Sequence, residues 1–444
     1  MRMHGISTKL PGVIALVLTI AVARSDDWPQ WLGPQRDGVW RETGIVETFP
    51  ADGPRVRWRT PVGSGYTGPG VAQGRVFVMD RQLAPGVANP GDPFAKTTIP
   101  GTERVLCLDE SNGKVLWKHG YECPYTVSYP AGPRATPTVH EGKVYSLGAE
   151  GNLFCLEAAS GKVLWSRDFK KDFSAKTPLW GFAAHPLVDG KKLICLVGGE
   201  GSVVVALDKD TGDVLWRALS AKEPGYCPPM IYEFNGKRQL IIWHPEAVNA
   251  LDPQTGKVYW SHKLEARSGL SIPTPRKSGD LLFITSFYNG SLLLRVDSDT
   301  PSVVWQSKKV SEKDTDGLHS IIPTPFIVDG YIYGVCSYGQ FRCLKADTGD
   351  RLWETFEPTT GKSERWGNAF ITKNGDRYFL FNEKGDLIIA RLTPEKYEEI
   401  SRAHLLEPTN TDPGHPVVWS HPAFANRCVY ARNDKEIICV SLAQ

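Results

Sequence analysis

Cysteine is absent from the first 106 positions of this 444-residue chain, so a lipid on an N-terminal cysteine is excluded. A basic excess is missing too: 51 Lys and Arg face 49 Asp and Glu, for a formal charge of +2. Binding along a phosphate backbone needs a cationic face, and this balance excludes nucleic acid as the partner. The familiar catalytic signatures are also lacking. There is no G-x-S-x-G elbow, no H-E-x-x-H, no P-loop and no zinc-type cysteine spacing. His244-Pro245-Glu246 is a lone titratable pair that supports no mechanism. The apolar run from Val13 to Ala23 is shorter than the roughly 20 residues that span a membrane. It follows Arg2 and Lys9 and ends in the small residues Ala21-Val22-Ala23, so it reads as a signal peptide cleaved after Ala23. The mature protein is therefore expected to be exported, periplasmic or extracellular, with no membrane span.

What the chain does have is repetition. VLCLDESNGKVLW from Val105, LFCLEAASGKVLW from Leu153, VVALDKDTGDVLW from Val204, VNALDPQTGKVYW from Val248 and FRCLKADTGDRLW from Phe341 are one phrase, with LLRVDSDTPSVVW from Leu293 a degraded copy. Trp117, Trp165, Trp216, Trp260, Trp305 and Trp353 close them at intervals of 48, 51, 44, 45 and 48 residues, the period of a four-stranded propeller blade. In each phrase apolar β-formers run into an acidic residue that bonds the turn, then a Gly that accepts positive φ, so each is a hairpin. A second strand pair precedes it, as in ATPTVHEGKVYSLG and IPTPFIVDGYIYGVC, with Glu141-Gly142 and Asp329-Gly330 at the turns.

The fold class expected is all-β, an eight-bladed propeller over residues 56–444. Phe370 to Arg402 supplies a worn copy with Ile400 near the tryptophan slot; if that copy is not a full blade, the count is seven. The last copy, HPAFANRCVYARNDKEIICVSL, supplies three strands, and a propeller must close its ring. VRWRTPV, with Trp58 in the slot, is the strand expected to close it. Residues 24–55, with Trp28, Trp31 and Trp40 among Gly and Pro, read as a clamp over the propeller's side or face. Residues 82–103 read as a long loop or a lid.

The phrase centre A-x-D-x-x-T-G-x-x-x-W resembles the PQQ-repeat (pyrroloquinoline-quinone) superfamily, which includes quinoprotein alcohol dehydrogenases and the propeller subunit of the outer-membrane protein assembly machinery. The resemblance covers nearly all of residues 56–444 and implies eight blades, each tryptophan docking on a neighbouring blade. A quinoprotein would imply PQQ in the channel beside Ca²⁺, with Asp as base, Glu and Asn as ligands, and adjacent cysteines stacking on the quinone. None of the nine cysteines is adjacent to another. Cys107, Cys155, Cys343 and Cys439 fall in one repeat slot shared with Ala206 and Ala250, so they read as small core residues. Cys123 with Cys227 is a pairing that an oxidising setting would allow.

Candidate ligand-binding residues come from one position in every blade, just before the innermost strand, where a propeller approaches its channel. They are Tyr66, Arg134, Trp180 with Phe182 and His185, Tyr226 with Cys227, Ser271, His319, Arg365 with Trp366 and Asn368, and Trp419 with His421. Trp180, Trp366 and Trp419 occupy matching points in LWGFAAHP, RWGNAF and VWSHPAF, which equally suits aromatic covers for the end of the core. Glu364 is the one carboxylate close to this set; Glu150 and Glu200 lie in the matching turns GAEGN and GGEGS and read as turn residues. The expectation is a monomeric binding or scaffold module for a protein, glycan or small ligand; the alternative is a PQQ-dependent oxidoreductase.

Overall fold

The computed structural model describes Met1 and residues 27–95, 97–412 and 415–444; residues 2–23 of the expected leader lie outside them. Eight four-stranded antiparallel sheets form a ring of blades. In chain order they occupy 70–122, 138–168, 187–218, 230–263, 276–306, 326–355, 369–404 and 423–441. The last is completed by Val56–Pro61, which pairs with Glu436–Ser441 and sets Trp58 opposite Cys439. The closing strand is thus the one expected, and the worn copy is a full blade, giving eight rather than seven. Between blades 7 and 8 a small extra hairpin pairs Asn410–Asp412 with His415–Val417. Among the described residues no helix is long and apolar enough to cross a membrane.

The repeated turn works by the chemistry its residues suggest. In blade 1 the Asp109 carboxylate accepts the Ser111 N–H at 2.8 Å, and the Gly113 N–H closes onto the Asp109 carbonyl at 2.8 Å. Asp208 and Asp252 accept the N–H groups of Asp210 and Gln254 in the same way, at 2.8 and 2.7 Å. The glycine has a second duty, however. The tryptophan ring of each preceding blade lies on it: a Cβ on Gly113 would stand 2.6 Å from Trp58, and one on Gly161, Gly212, Gly256 or Gly349 would meet Trp117, Trp165, Trp216 or Trp305 at 2.5 to 2.9 Å. At five junctions the indole N–H then reaches into the next blade. Trp58 donates to the Glu110 carbonyl at 2.8 Å, Trp117 to Ala158 at 3.0 Å, Trp165 to Lys209 at 3.1 Å, Trp305 to Ala346 at 2.7 Å and Trp353 to Thr393 at 2.9 Å.

The degraded copy docks differently. Blade 5 has Pro301-Ser302 at its turn, and Trp260, which faces it, bonds Gln239 of its own blade at 2.8 Å, whereas Trp353 still docks on blade 7, whose turn also lacks the glycine. The worn blade 7 is corrected by one position. Ser401, not Ile400, stands opposite Ile389 where a tryptophan stands elsewhere, and Ile400 falls at the strand bulge. Ser401 Oγ accepts the Phe49 N–H at 2.9 Å, and Phe49 and Ile400 join one apolar cluster, so the N-terminal segment supplies apolar bulk beside the missing ring.

The cysteine slot is the position facing the tryptophan: Cys107 pairs Trp117, Cys155 pairs Trp165 and Cys343 pairs Trp353, while Ala206 and Ala250 face Trp216 and Trp260. A small side chain there leaves room for the indole. All nine cysteines are buried and free. Cys123 and Cys227 do not bridge: the first packs with Ile99 and Tyr125, the second with Phe234 and Trp243 in a different blade. The supposed insert is shorter than expected, because its strands run to Leu83 and resume at Gly101, leaving 84–100 as the excursion.

The segment before the ring threads across its inner strands. Trp28 exchanges backbone bonds with Val71 of blade 1 at 2.8 and 2.9 Å, and the Pro29 carbonyl takes the Val139 N–H of blade 2 at 2.8 Å. Farther on, Trp40 bonds Lys373 of blade 7 at 2.8 Å and Val46 bonds Leu442 of blade 8 at 2.9 Å. Midway, Arg36 reaches the carbonyls of Pro186 and Pro229 at the entries to blades 3 and 4, Arg276 of blade 5 donates to Asp37, and Gly38 rests beside Phe326 of blade 6. One short segment therefore touches all eight blades.

Two glycines with the same backbone separate the docking contact from the turn strain. Gly113 (φ +74°) lies under Trp58, whereas a Cβ on Gly142 (φ +75°) would meet nothing within 4 Å. In denaturant unfolding, Gly142→Ala is expected to cost about 1 kcal/mol and Gly113→Ala about 3 kcal/mol. Equal costs would refute the docking role.

Candidate functional site

One end of the channel opens into a cavity of about 400 Å³. Nine of the fourteen candidate residues line it: Tyr66, Arg134, Trp180, His185, Tyr226, Arg365, Trp366, Trp419 and His421. They come from the loops that lead into the inner strands of six different blades, which is why they are far apart in sequence and close in space. The other five lie in the layer behind; Phe182 packs in the core against Phe169, and Cys227 packs with Trp243. Ser271 is fully buried, its carbonyl accepting the Tyr226 N–H at 3.1 Å. His319 is fully buried against the Phe287 carbonyl at 3.2 Å and Asp316 at 3.4 Å. Asn368 is buried with its N–H on Glu383 at 3.2 Å. These five shape the wall without lining the space.

Aromatic rings make the mouth. Tyr129, from the loop between blades 1 and 2, lies 6.1 Å from Trp366 and 6.4 Å from Trp419, and Trp366 and Trp419 lie 6.3 Å from each other at 68°. Phe94 of the 84–100 excursion meets Tyr129 edge-on at 5.4 Å, so this excursion contributes one ring to the rim. Across the opening Trp180 and Tyr226 form a second edge-to-face pair at 5.7 Å. Trp366 holds a left-handed backbone (φ +64°), fastened by its N–H to the Ser337 carbonyl at 2.9 Å. A non-glycine in that region stores strain that a simple cover for the core would not require.

The floor is built around Trp31. Its ring stacks on His185 at 4.4 Å and 8°, meets His421 edge-on at 4.3 Å, and its indole N–H donates to Thr274 at 3.1 Å. Thr136 organises the two histidines: its N–H donates to His185 Nδ1 at 2.7 Å, and its hydroxyl pairs with His421 Nε2 at 2.8 Å. His185 therefore carries its proton on Nε2. Burial holds the His185 imidazole well below its ordinary value, helped by His421 and Arg36, and burial pushes His421 down to about 3. Both rings are neutral near pH 7. Gly68 is required here, since a Cβ on it would overlap the His421 ring.

Behind Trp419, Glu383 is fully buried; it takes His415 at 2.8 Å, the Trp419 indole at 3.4 Å and the Asn368 N–H, and burial pushes its carboxyl up. Glu150, in its turn, ties loops together by accepting Thr126 N–H at 2.7 Å, Thr177 at 2.8 Å and Lys170 at 2.9 Å. A PQQ and Ca²⁺ pair does not fit these residues. Among the described residues no carboxylate lines the cavity, Glu383 is already engaged, and no three His, Cys, Asp or Glu side chains gather as a metal-ligand set.

Sequence reasoning missed Trp31, Phe94, Tyr129, Phe287 and Tyr288, all of which line the cavity. A signal existed for the last two: SFYNG puts two aromatic residues in the turn where blades 2 and 3 carry GAEGN and GGEGS. Trp31 gave none, because an aromatic residue in an irregular segment reads as a packing anchor.

Repeated docking tryptophans and a channel-mouth cavity define an eight-bladed propeller of the PQQ-repeat class. The chain belongs to the family described as outer membrane protein assembly factor BamB, whose model matches residues 101–355 and 244–444. BamB of Yersinia pestis is 26% identical over 209 residues, which is 44% of this chain and 47% of that protein. The chain thus spans about half the length of the curated relatives it matches. Among solved structures, BamB from Moraxella catarrhalis superposes with a TM-score of 0.52 at 15% identity, over 81% of this chain and 98% of that one. Quinohemoprotein alcohol dehydrogenase from Comamonas testosteroni gives 0.60 at 14% identity, over 93% and 80%. Likeness at that level carries the fold alone.

The buried histidines make stability depend on pH with a definite sign. Their folded values lie below the ordinary imidazole value of about 6.5, so the unfolded chain takes up protons first. Their contribution is complete above that value and is lost as pH falls from it toward about 3. The melting temperature is expected to fall between pH 7 and pH 4, and less steeply in His421→Asn. Identical slopes in the two proteins would overturn this assignment.

Proposed function

We propose that the protein is an exported, monomeric binding module that holds a small ligand in the aromatic cavity at its channel mouth. The observation that carries this reading is the cavity itself: about 400 Å³, floored by Trp31 and walled by aromatic side chains from non-adjacent blades. That is ligand-sized space, lined mainly by apolar groups with a few convergent polar ones. Membership of the BamB family supports a binding role over a catalytic one. A protein or glycan partner would engage the same face, with the exposed ring of Phe94 at its rim.

Titrating sugars, organic acids and small aromatic compounds against intrinsic tryptophan fluorescence tests this. Saturable quenching is expected, with Trp366→Ala and Trp419→Ala each weakening it about tenfold through lost stacking and burial. Binding that both substitutions leave unchanged would place the site elsewhere. Uptake of PQQ with Ca²⁺, followed by dye-linked oxidation of an alcohol or sugar, would replace the binding reading with the oxidoreductase one.

A further inference from the structure

The charge on the cavity lining is one-sided, although Glu312 and Glu383 stand behind Arg365 and Trp419. Among the described residues no Asp, Glu, Asn or Gln lines it, while Arg134 and Arg365 do. A third guanidinium, Arg36, is buried directly behind the floor. Its donors reach the carbonyls of His185, Pro186 and Pro229 at 3.2, 3.1 and 3.4 Å and the Gln30 side chain at 3.2 Å, all of them neutral. Burial lowers its pKa to about 10, so it stays charged near pH 7. A buried cation solvated by dipoles alone keeps a positive field that no protein counter-charge cancels. Arg134 is held likewise, by the carbonyls of Ser128 at 2.8 Å, Tyr129 at 2.6 Å and Gly132, and stands 5.2 Å over the Tyr66 ring. Arg365 donates to Glu312 at 2.7 Å and lies 4.4 Å over Trp366, half-exposed. His185, accepting at Nδ1, turns an Nε2–H donor into the same electropositive floor.

We propose that the cavity selects an organic anion: a small molecule with a planar or alicyclic apolar body and a carboxylate or sulfonate group. The inference rests on the binding reading above and narrows it. A cationic ligand would meet Arg134 and the field of Arg36, with no carboxylate on the cavity lining to pair it. A neutral sugar would find none of the side-chain amides or carboxylates that pair its hydroxyls. An anion with an apolar body satisfies both surfaces, its body against the aromatic walls and its charge toward the arginines.

Two fluorescent probes that share one aromatic body separate the terms. Anilinonaphthalene sulfonate carries the anion and N-phenylnaphthylamine does not. The sulfonate is expected to bind at one site per chain, about tenfold or more tightly than the neutral amine, and to weaken with added salt. Arg365→Gln and Arg134→Met are each expected to weaken the sulfonate about three- to tenfold more than they weaken the amine, with folding checked by the melting temperature. Equal affinity for the two probes, or sulfonate binding indifferent to both substitutions, would overturn the anion preference while leaving a binding cavity in place. Binding of neither probe would overturn the cavity reading as well.

Discussion

The propeller depends on one blade's tryptophan docking on the next blade's turn, which at five junctions places the indole on a glycine. The ring occupies the space that a side chain on the glycine would need, and its N–H satisfies a carbonyl in the same turn. A single hairpin cannot bury its apolar face alone, so most blades are held by a neighbour that receives their tryptophan. That coupling sets blade spacing, and spacing sets the width of the channel into which the inner loops project. Where the coupling is broken the chain compensates: Trp260 turns back to Gln239, and Phe49 packs where blade 7 lacks its ring.

The fold was legible because this contact is periodic. Six tryptophans at blade spacing, with acid and glycine at fixed offsets, determine hairpin, blade and ring, and the unpaired final strands point to Trp58 as the closure. The one-residue displacement at Ile400 arose because the bulge is invisible in a phrase that has lost its tryptophan. The site was legible only as far as the repeat register reaches. Nine residues found by counting back from each inner strand do meet at the cavity, whereas Ser271, His319 and Asn368 share the register and point behind the wall. Of the floor only His185 and His421 were legible, since Trp31 belongs to no repeat and is placed by hydrogen bonds and ring contacts to blades whose sequences lie 150 or more residues away.

The N-terminal segment turns an open channel into a floored cavity. A propeller ring has a natural hole, and here Trp31, pinned between Thr274 and the two neutral histidines, fills it. The cost is an arginine placed where no counter-ion reaches it. The same segment therefore contributes both the apolar floor and the positive field beneath it, and the two properties of the site have one structural origin.

The closing strand also orders events in time. Val56–Pro61 finds its partner at Glu436–Ser441, nearly the whole chain away, so the seam is a contact of very high sequence separation and forms after the blades between. A chain emerging N-terminus first must keep its first strand unpaired until its last residues arrive. Until then two sheet edges stand open, and the interval between synthesis and sealing is when this molecule is most exposed to wrong pairing.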